Sequence, residues 1–153
     1  MQPKASIREL MDAEIDPSAD VLWNSVSVTI SVTGEHDKQP QTAEEWLTVR
    51  RSAITLVEAT NLLMMENRRV ATDDAESARP GELSPKMMQQ RIDANRAAFD
   101  GFVQALRSVA IEALEAIDAK DPARLMDAGG KIDQVCEDCH LAYWYPPDAA
   151  PKN

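Results

Sequence analysis

Three things are scarce in this chain of 153 residues. The first is positive charge: 16 Lys and Arg stand against 26 Asp and Glu, a formal net charge of −10, and the signs alternate without forming runs. Nucleic acid and anionic membrane surfaces are therefore unsuited as partners. The second is any long apolar run. The longest stretch free of charge, Val21 to Gly34, has 14 residues, five of them Ser or Thr, and is too short and too polar to span a bilayer. A soluble protein is expected. The opening MQPKASIREL has neither the basic start nor the apolar run of a secretory signal, which leaves an intracellular chain or one whose leader has been removed. The third scarcity is cysteine and histidine, two of each, and both cysteines and one histidine fall within five positions, Cys136 to His140.

What is present suits one domain over 1–153, since 44% hydrophobic content at this length can bury a real core. Helix starts are written as Asp or Ser directly before Pro, at Asp16-Pro17, Ser84-Pro85 and Asp121-Pro122, and as a capping box beginning at Thr42. After Thr42, the positions Trp46, Val49, Ala53, Leu56, Thr60 and Leu63 recur at steps of three and four. A second series runs Met88, Ile92, Asn95, Phe99, Phe102, Leu106, Val109 and Ala113, and a third Leu125, Ala128, Ile132, Val135, Cys139 and Ala142. A less regular first face is Ile7, Met11, Ile15 and Leu22, with a break or bend expected at Asp16-Pro17. The expected architecture is all-α, an antiparallel four-helix bundle with helices near 5–25, 42–67, 84–119 and 121–144, crossing at roughly 20°.

One stretch departs from helical period. Val26, Val28, Ile30 and Val32 alternate with Ser and Thr, so Val26 to Thr33 reads as an extended segment after the first helix, with Gly34 to Gln41 as a turn. Residues 68–83 read as a connecting loop, and Pro146-Pro147 ends the last helix before a short tail.

Cys136, Cys139 and His140 stand at i, i+3 and i+4 near the end of the fourth helix and share one face. C-x-x-C-H is the attachment sequence of c-type haem, in which two thiols add to the porphyrin vinyl groups and the adjoining imidazole reaches the iron. Three other readings compete. Two core cysteines beside a surface histidine would leave unexplained why the chain has no further cysteine. A dithiol redox pair would want a helix start, whereas this pair lies near a helix end with Glu137 and Asp138 between its members. A zinc site needs a fourth ligand, and His36 is the one remaining histidine.

A C-terminal CEDCH with an aromatic residue, Tyr143, three positions after the histidine, on the last helix of an expected four-helix bundle, resembles the cytochrome c prime family. The architecture carries the resemblance over most of the chain, the specific motif only over Cys136 to Tyr143. It implies an exported, periplasmic class II c-type cytochrome in mature form, with one covalent haem c on Cys136 and Cys139, Tyr143 beside it and His140 as proximal iron ligand. Dimers are frequent in that family, so a homodimer is among the expectations. Two features depart from the pattern: Trp144 stands where a basic residue is usual, and the extended segment interrupts the connection between the first two helices.

The sixth iron position divides two functions, because a bound ligand favours electron transfer and an open apolar site favours small gases. In an up-down-up-down bundle, the end that holds His140 also holds Met11, Met64, Met65, Met87 and Met88. Met126 lies fourteen residues before His140, about 21 Å along a helix, and is excluded. Met11 is favoured because it lies on the inward face of the first helix, next to the fourth. In addition, low-spin members of the family look similar in drawing a methionine from the first helix. The expected function is electron transport through a haem with His140 and Met11 on the iron, exchanging with redox proteins that present basic patches. The alternative is a five-coordinate haem protein binding NO or CO, with Met11 lining the pocket.

The remaining candidates say less. Tyr143, Trp144 and Tyr145 could shield the haem edge or simply anchor the helix end. Arg8, Arg50, Arg51, Arg68 and Arg69 could each meet a propionate, although surface solvation is the commoner fate of any one. His36 is expected in an exposed polar turn. No catalytic base stands beside a nucleophile, so no catalytic residue and no enzyme activity are expected.

Overall fold

The computed structural model describes residues 2–72 and 79–147. Part of the connection expected over 68–83, and the tail beyond 147, lie outside the described residues. The chain is mostly helical with one two-stranded sheet, so the strictly all-α expectation is corrected.

Helix α1, Ile7–Leu10, starts at Ser6, whose hydroxyl accepts from the Glu9 amide at 3.2 Å while the Glu9 carboxylate accepts from the Ser6 amide at 2.8 Å. This capping box satisfies two orphan donors, and it is a start that sequence reading placed no signal on. The helix does not break at Asp16-Pro17. It widens into a π turn, Met11–Ile15, and continues as α2, Asp16–Ser25. Pro17 brings no amide hydrogen and crowds the carbonyl one turn earlier, and the wider turn immediately before it is where the helix accommodates both.

From Val26 the backbone turns extended, as its alternation indicates. Strand β1, Ser27–Ser31, pairs antiparallel with β2, Gly34–Lys38, Val28 lying opposite Asp37, Thr29 opposite His36 and Ile30 opposite Glu35. The expected turn over Gly34 to Gln41 is therefore wrong for its first five residues. The charged run Glu35–Lys38 has no strand composition of its own and is held by pairing with β1. Gly34, at φ +123°, leads the chain out of the turn through a conformation that side chains disfavour.

Helix α3, Ala43–Leu63, begins at the expected Thr42 capping box and ends four residues short of the expected 67. The long helix expected over 84–119 is two: α4, Pro85–Ala94, and α5, Arg96–Asp118. Asn95, the one polar member of that face, sits between them at φ −149°, ψ 72°, and its side chain accepts from the Ala98 amide, capping α5. Helix α6, Pro122–Tyr143, is capped by Asp121 as its sequence signal implies.

Helix α5 packs on α3 and α6, and α2 packs on the same two from the other side. The buried set matches the apolar faces read from the sequence: Ile15, Leu22, Leu56, Leu125 and Ile132 are all but inaccessible, each such side chain contributing roughly 1.5–3 kcal/mol. Alanines at 53, 110, 113 and 116 bring the helix backbones close. Gly129 does the same for α2 against α6: Trp23 Nε1 donates to its carbonyl at 2.9 Å, and a Cβ there would lie 3.3 Å from Trp23 Cδ1.

One end of the molecule is tied by a set of cross-links between remote segments. Ile7 and Arg8 donate to the carbonyls of Arg69 and Val70, Val70 donates to Gln89 Oε1, Leu83 donates to the Trp144 carbonyl at 2.7 Å, and Arg91 donates to that of Ala142. The start of α1, the segment after α3, the start of α4 and the end of α6 therefore meet. No helix among the described residues is long and apolar enough to cross a membrane.

Candidate functional site

At this cross-linked end the last turns of α6 carry Cys136, Cys139 and His140, all half-buried, and both cysteines are free thiols. The spacing places the three on one helical face. Cys136 belongs to the fringe of the hydrophobic core, as do Met11 and Tyr143.

Burial governs the chemistry of all three. It pushes the Cys136 thiol up to about 11, with the Asp16 and Asp133 carboxylates adding to the effect, and the Cys139 thiol up to about 12, with Cys136 as the second cause. Neither is a thiolate at neutral pH, which weakens the dithiol reading, since that chemistry uses the anion. Burial also lowers His140 below the ordinary histidine value, against the opposing pull of Asp16 and Glu137. The imidazole is thus held neutral, the form that ligates metals.

Asp16 is the polar neighbour common to Cys136 and His140. Its own carboxyl is raised, first by burial, while His140 acts in the opposite sense and Asp12 and Asp20 reinforce the rise. The first helical segment thus reaches the C-x-x-C-H face at Asp16. Met11 is half-buried at the start of the π turn below it.

The aromatic residues divide between two jobs. Tyr143 turns towards α5, where Phe99 and Phe102 meet it edge-on at 5.7 and 5.9 Å. Burial raises its phenol, and Cys139 is the next cause, so ring and thiol share a neighbourhood. Trp144 and Tyr145 stand by His140, at ring-centroid distances of 5.1 and 6.0 Å, and the Tyr145 hydroxyl donates to Glu137 at 2.6 Å. They flank the imidazole at the helix end.

The other sequence candidates separate. Met65 is engaged, its sulfur accepting from Arg68 Nη2 at 3.3 Å. Met87 and Met126 are exposed, at 49% and 43%, whereas Met64 and Met88 pack on the core as Met11 does. Arg68 is corrected: it is 5% exposed, and its guanidinium donates to the carbonyls of Ala5 and Leu62. It ties the N-terminal segment to the end of α3, where the last helical carbonyls lack partners. Arg50 pairs with Asp118 at 2.7 Å. His36 lies in β2, exposed as expected but in a strand, its Nε2 3.1 Å from Thr33 Oγ1. Two surface clefts, one beside Trp23, Met126 and Gly129 and one beside Asn24, Pro40 and Glu45, are lined by none of the Cys136–His140 segment.

Sequence reasoning missed Asp16 as a site neighbour. In the sequence it carries only a helix-start signal, and its nearness to Cys136 and His140 comes from the packing of α2 on α6.

No family model, curated protein or solved structure matches this chain. The donor set itself nonetheless fits a c-type haem. Two free thiols and an imidazole share one face, the Tyr143 ring shares a neighbourhood with the second thiol, and Met11 packs at the edge of the core.

Proposed function

We propose that the chain is a class II c-type cytochrome, an antiparallel four-helix bundle related in design to the cytochrome c prime family. In it Cys136 and Cys139 would hold one haem c through thioether bonds. His140 and Met11 would hold the iron, and Tyr143, packed on Phe99 and Phe102 of α5, would lie beside the group. The observation that carries this reading is the pair of free, half-buried thiols at i and i+3 with a half-buried imidazole at i+4 on one face of the last helix. When bound, the haem supplies a one-electron couple, and the protein excludes water from it and fixes its axial ligands.

On this reading the protein carries electrons and catalyses no reaction of its own. It works in the periplasm, where haem is attached to exported chains, and two propionates add to the net charge of −10. Its redox partners then present basic patches, and exchange slows as salt screens the attraction.

A second reading has five-coordinate iron open to NO or CO. It draws on the packing of Met11, which lies against the core in the same manner as Met64 and Met88, the ordinary role of methionine in a bundle. Both readings require covalent haem. Mass spectrometry of the denatured protein, matured in a host competent for haem attachment, should show the polypeptide plus one haem. A bare chain mass ends both.

A further inference from the structure

The β hairpin follows the end of α2 at Val26. It exposes Val28 at 45%, Ile30 at 82% and Val32 in full, on a sheet of only two strands, and an isolated hairpin of that size is marginal in water. Its two strands differ sharply in charge. β2 carries Glu35, Asp37 and Lys38, the charged residues that ordinarily block pairing at a sheet edge. β1 reads Ser-Val-Thr-Ile-Ser, has no charge, and belongs to the longest uncharged stretch of the chain. Every second residue of an edge strand presents its N–H and C=O outward, and among the described residues no third strand pairs with β1.

We propose that β1 is a self-pairing edge, and that two copies of this chain join through it into a continuous four-stranded antiparallel sheet. The occupant is a second copy because of charge. A molecule at −10 repels its own copies over most of its surface, and β1 is the place where it meets one without opposing like charges. The strand is also self-complementary. Antiparallel pairing about Thr29 sets Thr29 against Thr29 and Ser27 against Ser31 on one face, pairs that exchange hydroxyl hydrogen bonds. On the other face Val28 of each copy lies against Ile30 of the other. Glu35 and Asp37, opposite Ile30 and Val28 within each hairpin, fall on the outer strands, at the far sides of the apolar centre. The interface is isologous and closes on itself, giving dimers and no filament.

The test is sedimentation velocity on the full chain over a concentration series, with three samples. The unmodified protein should show a reversible monomer–dimer equilibrium. Val28→Lys/Ile30→Lys and Val28→Glu/Ile30→Glu each set like charges directly opposite, and each should raise the dissociation constant at least about tenfold. Mixing the two variants should restore dimers, since lysines then face glutamates, a recovery that misfolded hairpins would not give. A monomer at every concentration up to about 1 mM, a dimer that neither variant weakens, or a mixture that stays monomeric overturns the proposal. None of these outcomes depends on haem, so the functional reading stands or falls separately.

Discussion

The Asp16 amide donates to the carbonyl of Met11, five residues earlier, and closes the π turn. In an unbroken α-helix that amide would reach Asp12, and Met11 would point well away from Asp16 around the helix axis. The wider turn stacks the two on one side. Asp16 acts electrostatically on Cys136 and His140 from α2, while the π turn that carries Met11 packs on α3.

The two thiols give the first prediction. With Cys136 near 11 and Cys139 near 12, both stay protonated at pH 8, and a protonated thiol is a poor nucleophile. In the haem-free chain, iodoacetamide should alkylate both at least about tenfold more slowly in buffer than in denaturant. Equal rates in the two media would mean that the thiols are solvated and that burial does not hold them neutral.

Much of the architecture was legible because it rests on local periodicity. Leu56, Leu106 and Ile132 are buried where steps of three and four place them, and Thr42, Ser84 and Asp121 cap the helices that they announce. What was not legible depends on partners remote in sequence. β2 is a strand because β1 lies beside it, Asn95 interrupts a periodic face because its side chain caps a new helix, and Arg68 is buried because Ala5 and Leu62 offer carbonyls. At the site, the C-x-x-C-H spacing was plain in the sequence. The setting of Met11 was legible only as a bend at Asp16-Pro17, since proline marks where the helix is disturbed and not that the disturbance takes the form of a π turn.

Arg68 supplies a stability test. Its guanidinium, 5% exposed, satisfies the carbonyls of Leu62 and Ala5, and burial lowers its pKa. Arg68→Met keeps much of the apolar stem but leaves both acceptors without their donor, a cost of about 1–3 kcal/mol. Urea unfolding followed by circular dichroism should register the loss. Arg68→Lys should recover only part of it, because one ammonium cannot reproduce the planar fork. A midpoint unchanged in Arg68→Met would show that the tie is dispensable.

The capping boxes set an acid limit. Amide donation from Gln41 and Thr42 holds Glu45 below its ordinary value of 4.5, and donation from Ser6 does the same for Glu9. A carboxylate depressed in the folded state contributes stability that is fully present above its unfolded value. That contribution is lost as pH falls through the depressed folded value. Glu45→Gln should therefore be less stable than the parent at pH 7, with the gap closing as the pH is taken well below 4. A gap of constant size across that range would assign the loss to something other than the charge.

The proposed axial ligand, Met11, sits at the start of the π turn. With Met11 on the iron, the protein is low-spin in both oxidation states, and the thioether favours ferrous iron and so raises the potential. Met11→Ala removes the sulfur without touching the turn, whose bond is made by the backbone carbonyl. The substituted protein should become high-spin and take up carbon monoxide. Met64→Ala and Met88→Ala, at two other methionines packed on the core, should lose some stability and stay low-spin. An optical spectrum of each, oxidised and reduced, reads the result directly. If the unmodified protein is already high-spin and binds carbon monoxide readily, Met11 only lines the pocket, and the five-coordinate reading takes the place of the electron carrier.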